Sequence, residues 1–195
     1  MVTKKEIHRK RKEIEISVIL LIIVIIVWSM IVYYVGPEGI VDYIGMENAY
    51  LVLFVGGLLG GVSLLFPFPN YLLVFTFGAA GLNPFLIGAV AAAGIIIGES
   101  TSYFVGYSTH SILPISIGGH IHGIKKWLLR RRKWTMYSAL FLWGSIFPLP
   151  NDFMLIPLGV LRYPFWRTMI PLGLGNLVFN TLIAFAGAYG WTMLF

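Results

Sequence analysis

The sequence contains no cysteine and few charged residues. Without cysteine, neither a disulfide framework nor a thiolate metal site can form. Charged residues make up 11% of the 195 residues, hydrophobic residues make up 58%, and the mean hydropathy is +0.84. A soluble domain of this size could not cover so much apolar surface with so few charges. The composition therefore predicts a single integral membrane domain.

Acidic residues are also scarce, and all basic residues except Arg162 and Arg167 fall into two groups, which lie in residues 1–13 and 120–133. The net charge of +6 does not indicate nucleic-acid binding, because these groups flank apolar segments. By the positive-inside rule both groups are cytoplasmic, so we expect a basic cytoplasmic N-terminus and a basic cytoplasmic connector. Glu38, Asp42 and Glu47 share one short segment without a basic residue, which we place outside as a loop.

Three apolar stretches are long enough to cross a bilayer, since a span needs about 20 residues at 1.5 Å rise each. Residues 14–35 form the first and carry aromatic residues towards their outer end. Residues 84–107 and 165–190 form the second and third. These stretches predict a multi-pass protein of the cell membrane with a cytoplasmic N-terminus and an external C-terminus.

Two proline-rich breaks interrupt the other apolar segments. Pro67 and Pro69 are followed by Asn70, and 81 residues later Pro148 and Pro150 are followed by Asn151. Two prolines two residues apart remove two backbone donors and end a helix. Each break therefore predicts a turn within the membrane, from which the chain returns as a second short helix.

The breaks divide most of the chain into two similar units, residues 49–107 and 134–190. In each unit we expect a re-entrant helical hairpin followed by one transmembrane helix. Because each unit contains one net crossing, the second begins on the opposite side of the membrane, which makes the repeat inverted. The predicted fold is an all-α polytopic membrane protein, in which the N-terminal transmembrane helix precedes this inverted repeat.

Two carboxylates are candidates for function, because a charge at the bilayer centre costs about 3 kcal/mol and must face protein or water. Glu99 lies within the second span, and Asp152 directly follows the second break. Glu99 either handles a substrate or proton, or only locks helices by hydrogen bonding to a neighbouring serine or threonine at 100–102. Asp152 either takes part in binding or caps the returning half-helix.

Asn70, Asn151 and Arg162 complete the candidate site. The two asparagines are expected to cap the half-helices, whose N-termini would also place partial positive charge where an anionic headgroup could rest. Arg162 is either a phosphate partner or an anchor at the inner interface. His120 and His122 form an isolated pair, which we interpret as a structural loop and not as a metal site.

The order and spacing of these motifs resemble the DedA family, also called the VTT or SNARE-associated membrane protein family. The similarity covers roughly residues 49–190, and it rests on Pro67-x-Pro69, Gly78, Asn83-Pro84-Phe85, Gly94, Gly98-Glu99, Tyr103 to Gly106, Pro148-x-Pro150-Asn151-Asp152, Gly159, Arg162-Tyr163-Pro164-Phe165 and Gly175. The resemblance implies two facing re-entrant hairpins and a role in moving lipids between leaflets. Bacterial members are linked to polyprenyl-phosphate carriers and eukaryotic members to phospholipid scrambling.

The leading hypothesis is a lipid transporter or scramblase that moves phospholipid or lipid-phosphate headgroups through a polar crevice between the hairpins. The alternative is a proton-coupled or small-ion transporter that uses Glu99 and Asp152. No Gly-x-Ser-x-Gly or His-Glu-x-x-His motif is present, so we expect no enzyme. We also expect no cofactor and no nucleic-acid partner. The partners are membrane lipids, and self-association into a homo-oligomer is left open.

Overall fold

The computed structural model describes residues 4–62, 69–109, 126, 133–146 and 150–194. Pro67, Pro148, the His120 and His122 pair and most of the second basic group lie outside these ranges. Eight helices, and no strand, occur in the described part: α1 Lys4–Val35, α2 Pro37–Ile44, α3 Met46–Gly61, α4 Asn70–Ala79, α5 Pro84–Thr109, α6 Lys133–Ile146, α7 Asp152–Val160 and α8 Phe165–Leu194. The predicted all-helical architecture is confirmed in this part of the chain.

Two of these helices are long and apolar enough to cross a membrane, over Pro84–Thr109 and Phe165–Trp191. The apolar part of α1, Ile19–Val35, qualifies only together with α2, from which it is bent by 90°. Gly36 makes this bend with a φ of 75°, a conformation that glycine adopts without steric cost. Described segments therefore supply two spans, or three if the bent pair counts as one.

The acidic segment after the first apolar run is not the loop that we expected. It forms helix α2, whose proline at the first position is pre-organised for a helix start. Ile40 and Val41 are buried from α2 and join a core that includes Leu53 of α3 and Phe77 of α4. The helical spacing of Pro37, Ile40, Val41 and Ile44 was present in the sequence, and the prediction failed because it considered only the charges of this segment.

Helices end at both predicted breaks. Before the first break α3 ends at Gly61, and α4 begins directly after Pro69. Before the second break α6 ends at Ile146, and α7 begins two residues after Pro150. The helices before the breaks have 16 and 14 residues and those after them have 10 and 9, so all four are shorter than a span needs.

The short helices pack on the two long ones in an exchanged pattern. In each half the helix before the break lies beside its own long helix, so that α3 packs on α5 and α6 packs on α8. The helix after the break crosses over instead, because α4 packs on α8 and α7 packs on α5. Since α5 and α8 also contact each other, neither half forms a separate unit. The orientation of the two halves relative to the membrane stays a prediction.

Glycines lie where two helix backbones approach each other closely, at equivalent places in the two halves. A Cβ on Gly78 would overlap the backbone of Ala184, and one on Gly159 would overlap the backbone of Tyr103. Gly159 follows Gly78 by 81 residues, and Ala184 follows Tyr103 by the same number. Small residues at such contacts let helix backbones pack closely within a membrane. The repeat seen in the sequence is therefore also a repeat of packing.

The turns after α4 and α7 follow the same spacing. Gly81 has a φ of 83° and Arg162, 81 residues later, has a φ of 49°. The amide of Gly81 donates to Gly78 O at 3.0 Å, and that of Arg162 donates to Gly159 O at 2.8 Å. The motifs Asn83-Pro84-Phe85 and Tyr163-Pro164-Phe165 look alike but are offset by one residue. The helices themselves keep the spacing of 81 residues, since α5 begins at Pro84 and α8 begins at Phe165.

Candidate functional site

Glu99 lies in the middle of α5 and is almost completely buried, with 5% of its surface exposed. The helix approaches α3 closely at this level, because a Cβ on Gly98 would overlap the backbone of Leu58 and Gly61. This contact holds the backbone of α5 around Glu99 against α3. A buried charged group is stable only if its oxygens are hydrogen-bonded or paired.

Two asparagines from the second half bind the Glu99 carboxylate. Asn151 Nδ2, at the start of α7, donates to Glu99 Oε1. Asn176 Nδ2, on α8, donates to Oε1 at 3.2 Å and to Oε2 at 3.1 Å. Asn151 Nδ2 also donates to Asn176 Oδ1 at 3.1 Å, which closes a ring of three side chains. We call Glu99, Asn151 and Asn176 the carboxylate cluster.

The Glu99 carboxylate is not hydrogen-bonded to the neighbouring hydroxyls of Ser100 and Thr101, which was one of our interpretations. Ser100 Oγ donates to Ile96 O at 2.8 Å, and Thr101 Oγ1 donates to Gly98 O at 2.7 Å. Both hydroxyls therefore serve the backbone of α5 itself, as such side chains commonly do within helices. Glu99 does join helices, but it does so through amides of the other half.

Asp152 is the first residue of α7 and is buried beside the carboxylate cluster, close enough to Glu99 for their charges to interact. Two carboxylates this close in a low-dielectric site disfavour a third negative charge, and they favour a hydrogen-bond donor or a cation. The cluster alone is therefore not a site for a bare phosphate.

The predicted side-chain caps are not present. The residue that caps α7 is Asn151, but it does so with its backbone carbonyl, which accepts from Met154 and Leu155 at 2.9 Å, while its side chain turns to Glu99. The cap residue of α4 is Pro69, so Asn70 lies one position inside the helix and makes no capping bond. Capping was the wrong interpretation, because it treated the asparagines as local to their own helices.

Arg162 is not part of the carboxylate cluster. It is exposed in the turn after α7, and its guanidinium lies 4.7 Å from the ring centre of Tyr107 near the end of α5. Glu99 lies two helical turns earlier on α5. Of the predicted site residues, the structure thus brings together Glu99, Asn151 and Asp152, and it leaves Arg162 apart from them. Pro69 and Pro150 lie at the starts of α4 and α7.

The sequence reasoning missed Asn176 and Asn180. Both are buried on one face of α8, and Asn180 Nδ2 donates to the backbone carbonyl of Asn176 at 2.7 Å. Polar side chains inside a membrane span are costly and therefore mark candidate sites. That signal was present in the sequence, since these are the two asparagines within the last long apolar run.

A largely apolar groove of about 500 Å³ runs between α6 and α8. Aromatic and aliphatic side chains line it, among them Trp134, Phe141, Trp166, Pro171 and Leu174. Leu174 lies two residues before Asn176 on α8, so the two side chains leave the helix on nearly opposite sides. The groove therefore lies on the exposed side of α8, while Asn176 is buried.

Comparison with known families gives one finding that bears on this arrangement. A family model described as the VTT domain matches residues 68–189, which is more than half of the chain. It includes α4 to α7 and nearly all of α8. No curated protein and no solved structure gives a significant match. The helix that precedes the first break lies outside the matched range, although it packs on α5 as α6 packs on α8.

Proposed function

This chain belongs to the VTT-domain family of membrane proteins, the DedA or SNARE-associated family, and we propose that it moves lipid headgroups between the leaflets of a membrane. The observation that carries the proposal is the carboxylate cluster. Glu99 of the first half is held by Asn151 and Asn176 of the second half. A polar group that joins both halves at mid-helix is where a headgroup would cross.

The carboxylate cluster offers a headgroup polar partners in place of water. Burying a polar group without hydrogen bonds costs several kcal/mol in a hydrocarbon medium, about 4–8 kcal/mol per group on transfer scales. Glu99, its two amide partners and Asp152 would replace part of the lost hydration. The barrier to headgroup movement falls by the amount of hydration that these side chains replace.

The apolar groove between α6 and α8 supports the same proposal. Its lining by Trp134, Phe141 and Leu174 is suited to acyl chains, which would remain in an apolar environment while the headgroup contacts the carboxylate cluster. Arg162 would act earlier, at the interface, where its exposed guanidinium is available to a phosphate. Headgroup and chains would then follow separate surfaces of the protein.

A second candidate function is coupled transport of a proton or small cation. The proximity of Asp152 to Glu99 favours it, because two buried carboxylates can share a proton or a cation. In this case the carboxylate cluster would bind the coupling ion and the solute would be a separate molecule. Solute uptake driven by a pH gradient without any change in lipid distribution would favour this function.

The lipid proposal is tested by reconstituting the purified protein into phosphatidylcholine vesicles that contain a trace of acyl-chain-labelled lipid. Dithionite added outside bleaches label in the outer leaflet only, so the bleached fraction reports transfer. We expect bleaching to exceed the half that protein-free vesicles show. Folded protein, verified by size-exclusion elution and thermal melting, without transfer of any labelled lipid would contradict the proposal.

A further inference from the structure

The counterpart of the carboxylate cluster in the other half is polar but uncharged. Glu99 corresponds to Asn180, and Asn151 corresponds to Asn70, each at the spacing of 81 residues that relates the two halves. Asn70 and Asn180 are both buried, with 3% and 1% of their surface exposed. Two buried amides in equivalent positions need hydrogen-bond partners as much as the carboxylate does.

The repeat of close contacts places Asn70 at the level of Asn180. Asn151 and Glu99 lie eight and seven residues before the close-contact glycines Gly159 and Gly106, and they bond to each other. In the other half, Asn70 and Asn180 lie eight and seven residues before Gly78 and Gly187.

An aromatic contact supports this placement directly. The rings of Tyr71 and Phe179, each adjacent in sequence to one of the two asparagines, meet with centroids 5.4 Å apart. The start of α4 therefore lies beside α8 at the level of Asn180.

Three amide atoms at this position make no hydrogen bond to a described residue. Neither Nδ2 nor Oδ1 of Asn70 has a hydrogen-bond partner among the described residues, and neither does Oδ1 of Asn180. Asn180 Nδ2 already donates to the carbonyl of Asn176, which fixes the orientation of that amide. The position thus presents one donor and two acceptors. Buried groups left unsatisfied cost about 1–3 kcal/mol each, a cost that a bound ligand would remove.

We infer that Asn70 and Asn180 form a second binding position for a polar headgroup, and that it takes an uncharged, hydroxyl-bearing group such as a glycerol or sugar. The chemistry follows from the open atoms. A phosphate only accepts hydrogen bonds and would face two acceptor oxygens, whereas an ammonium only donates and would leave Asn70 Nδ2 without an acceptor. A hydroxyl both donates and accepts, and two neighbouring hydroxyls would satisfy all three atoms.

The same headgroup can reach the carboxylate cluster, because Asn176 belongs to the cluster and also receives the hydrogen bond from Asn180. Hydroxyl donors suit the Glu99 carboxylate as well. The two positions would then bind one headgroup in succession as it passes between the halves. This part of the inference rests on the proposed lipid movement, whereas binding at Asn70 and Asn180 does not.

Binding is measured first, in a zwitterionic detergent that carries no hydroxyl group. A short-chain glucosyl-diacylglycerol should raise the melting temperature of the wild-type protein more than a short-chain phosphatidylcholine does. Asn70→Leu, which has the same size but no polar atoms, should lose this difference and retain an equal or higher melting temperature without ligand. Asn48→Leu, at an exposed position on α3, is the matched control and should keep the difference.

Several results would overturn the inference. These are equal shifts with both lipids in the wild type, an unchanged difference in Asn70→Leu, or failure of Asn70→Leu to fold, which would show a structural role for the amide. Asn180→Leu gives a second reading of the same position, with the added loss of its bond to Asn176. If the difference between the two lipids persists in both leucine variants, these amide atoms bind only water.

Transfer is measured separately in vesicles with acyl-labelled forms of the same two lipids. We expect the glucosyl lipid to cross faster than phosphatidylcholine in the wild type, and the ratio of rates to fall about tenfold in Asn70→Leu, the effect of losing one to two hydrogen bonds. Absence of transfer for both lipids, with lipid-selective stabilisation intact, would reject the lipid-transport proposal and leave the binding position standing.

Discussion

The two halves of the protein share one packing plan but differ in polarity. Each contributes a helix before a break, a helix after it and a long helix, and the close contacts recur 81 residues apart. The carboxylate Glu99 in the first long helix has the amide Asn180 as its counterpart in the second, and the turn glycine Gly81 has Arg162. The repeat therefore preserves backbone contacts, while charge is free to differ.

The contact glycines and the buried polar residues therefore have separate roles. Glycines at contacts between helix backbones tolerate no side chain, so the same requirement recurs in both halves. The polar positions face an interior where the requirement is satisfaction of hydrogen bonds, which a carboxylate or an amide can meet with different ligands. The predictions below test first the shared packing and then the differences.

The largest effect is expected at the contact glycines. Gly78→Ala and Gly159→Ala should each lower the free energy of unfolding by about 1–3 kcal/mol, because the added Cβ overlaps backbone atoms that cannot move aside cheaply. Thermal melting in detergent, followed by size-exclusion elution, measures the loss. Similar losses at both positions would support equivalent packing.

Gly190→Ala is the matched control, since a Cβ there meets nothing within 4 Å. Alanine is a better helix former than glycine, so this variant should be as stable as the wild type or slightly more stable. A large loss at only one of the two contact glycines would break the comparison between the halves.

How much of this arrangement the sequence predicts depends on the range of the interaction involved. The proline pairs act on their own backbone, and they correctly located the breaks before α4 and α7. Span length also depends only on local composition, and it correctly selected α5 and α8. The partners of Glu99 depend on how helices from the two halves are rotated against each other, and no local pattern reports that rotation.

The same reasoning explains the failed capping prediction. Asn151 directly after a proline break has the local signature of a helix cap, and its backbone does cap α7. Its side chain instead follows the stronger demand of the buried Glu99 carboxylate, because hydrogen bonds to charged groups contribute about 1.5–3 kcal/mol, more than neutral ones. The 81-residue repeat already connected Asn151 with Asn70, and applying it to the long helices as well would have connected Glu99 with Asn180.

The second largest effect is expected at the Glu99 carboxylate. Glu99→Gln should assemble normally but transfer labelled lipid about tenfold more slowly, because glutamine offers one acceptor oxygen where the carboxylate offers two and it carries no charge. The measurement is the dithionite assay in vesicles. Glu47→Gln, an exposed carboxylate at the start of α3, should transfer lipid at the wild-type rate.

An unchanged rate in Glu99→Gln, together with a lower melting temperature, would assign Glu99 a purely structural role as the link between halves. A reduced rate with an unchanged melting temperature would assign the Glu99 carboxylate a role in transfer beyond its role as the link between halves.

A smaller effect is expected where the first half has an addition that the second lacks in the described residues. Trp28 Nε1 of α1 donates to Thr76 Oγ1 of α4 at 3.0 Å. Trp28→Phe should lower the free energy of unfolding by about 1 kcal/mol through loss of this bond. Thermal melting measures it, and Thr76→Val should add little in the double variant if both act through the same bond. Trp134→Phe, at an exposed tryptophan, is the control.

The smallest effect is expected at Arg162, where two contributions oppose each other. Its φ of 49° is costly for a residue with a Cβ, and glycine relieves about 1 kcal/mol of that cost, as Gly81 does in the other half. Arg162→Gly also removes the contact of the guanidinium with the Tyr107 ring, which contributes about 0.5–1 kcal/mol at an exposed site. The melting temperature should therefore barely change, whereas Tyr107→Leu should lower it, because it removes the contact with the guanidinium together with the stacking of Tyr107 on Tyr103. If Arg162→Gly instead slows transfer of an anionic lipid more than of phosphatidylcholine, the arginine is kept for phosphate contact at the interface. Equal rates for both lipids would reduce Arg162 to a stabiliser of the turn, and this difference between the halves would then have no part in transport.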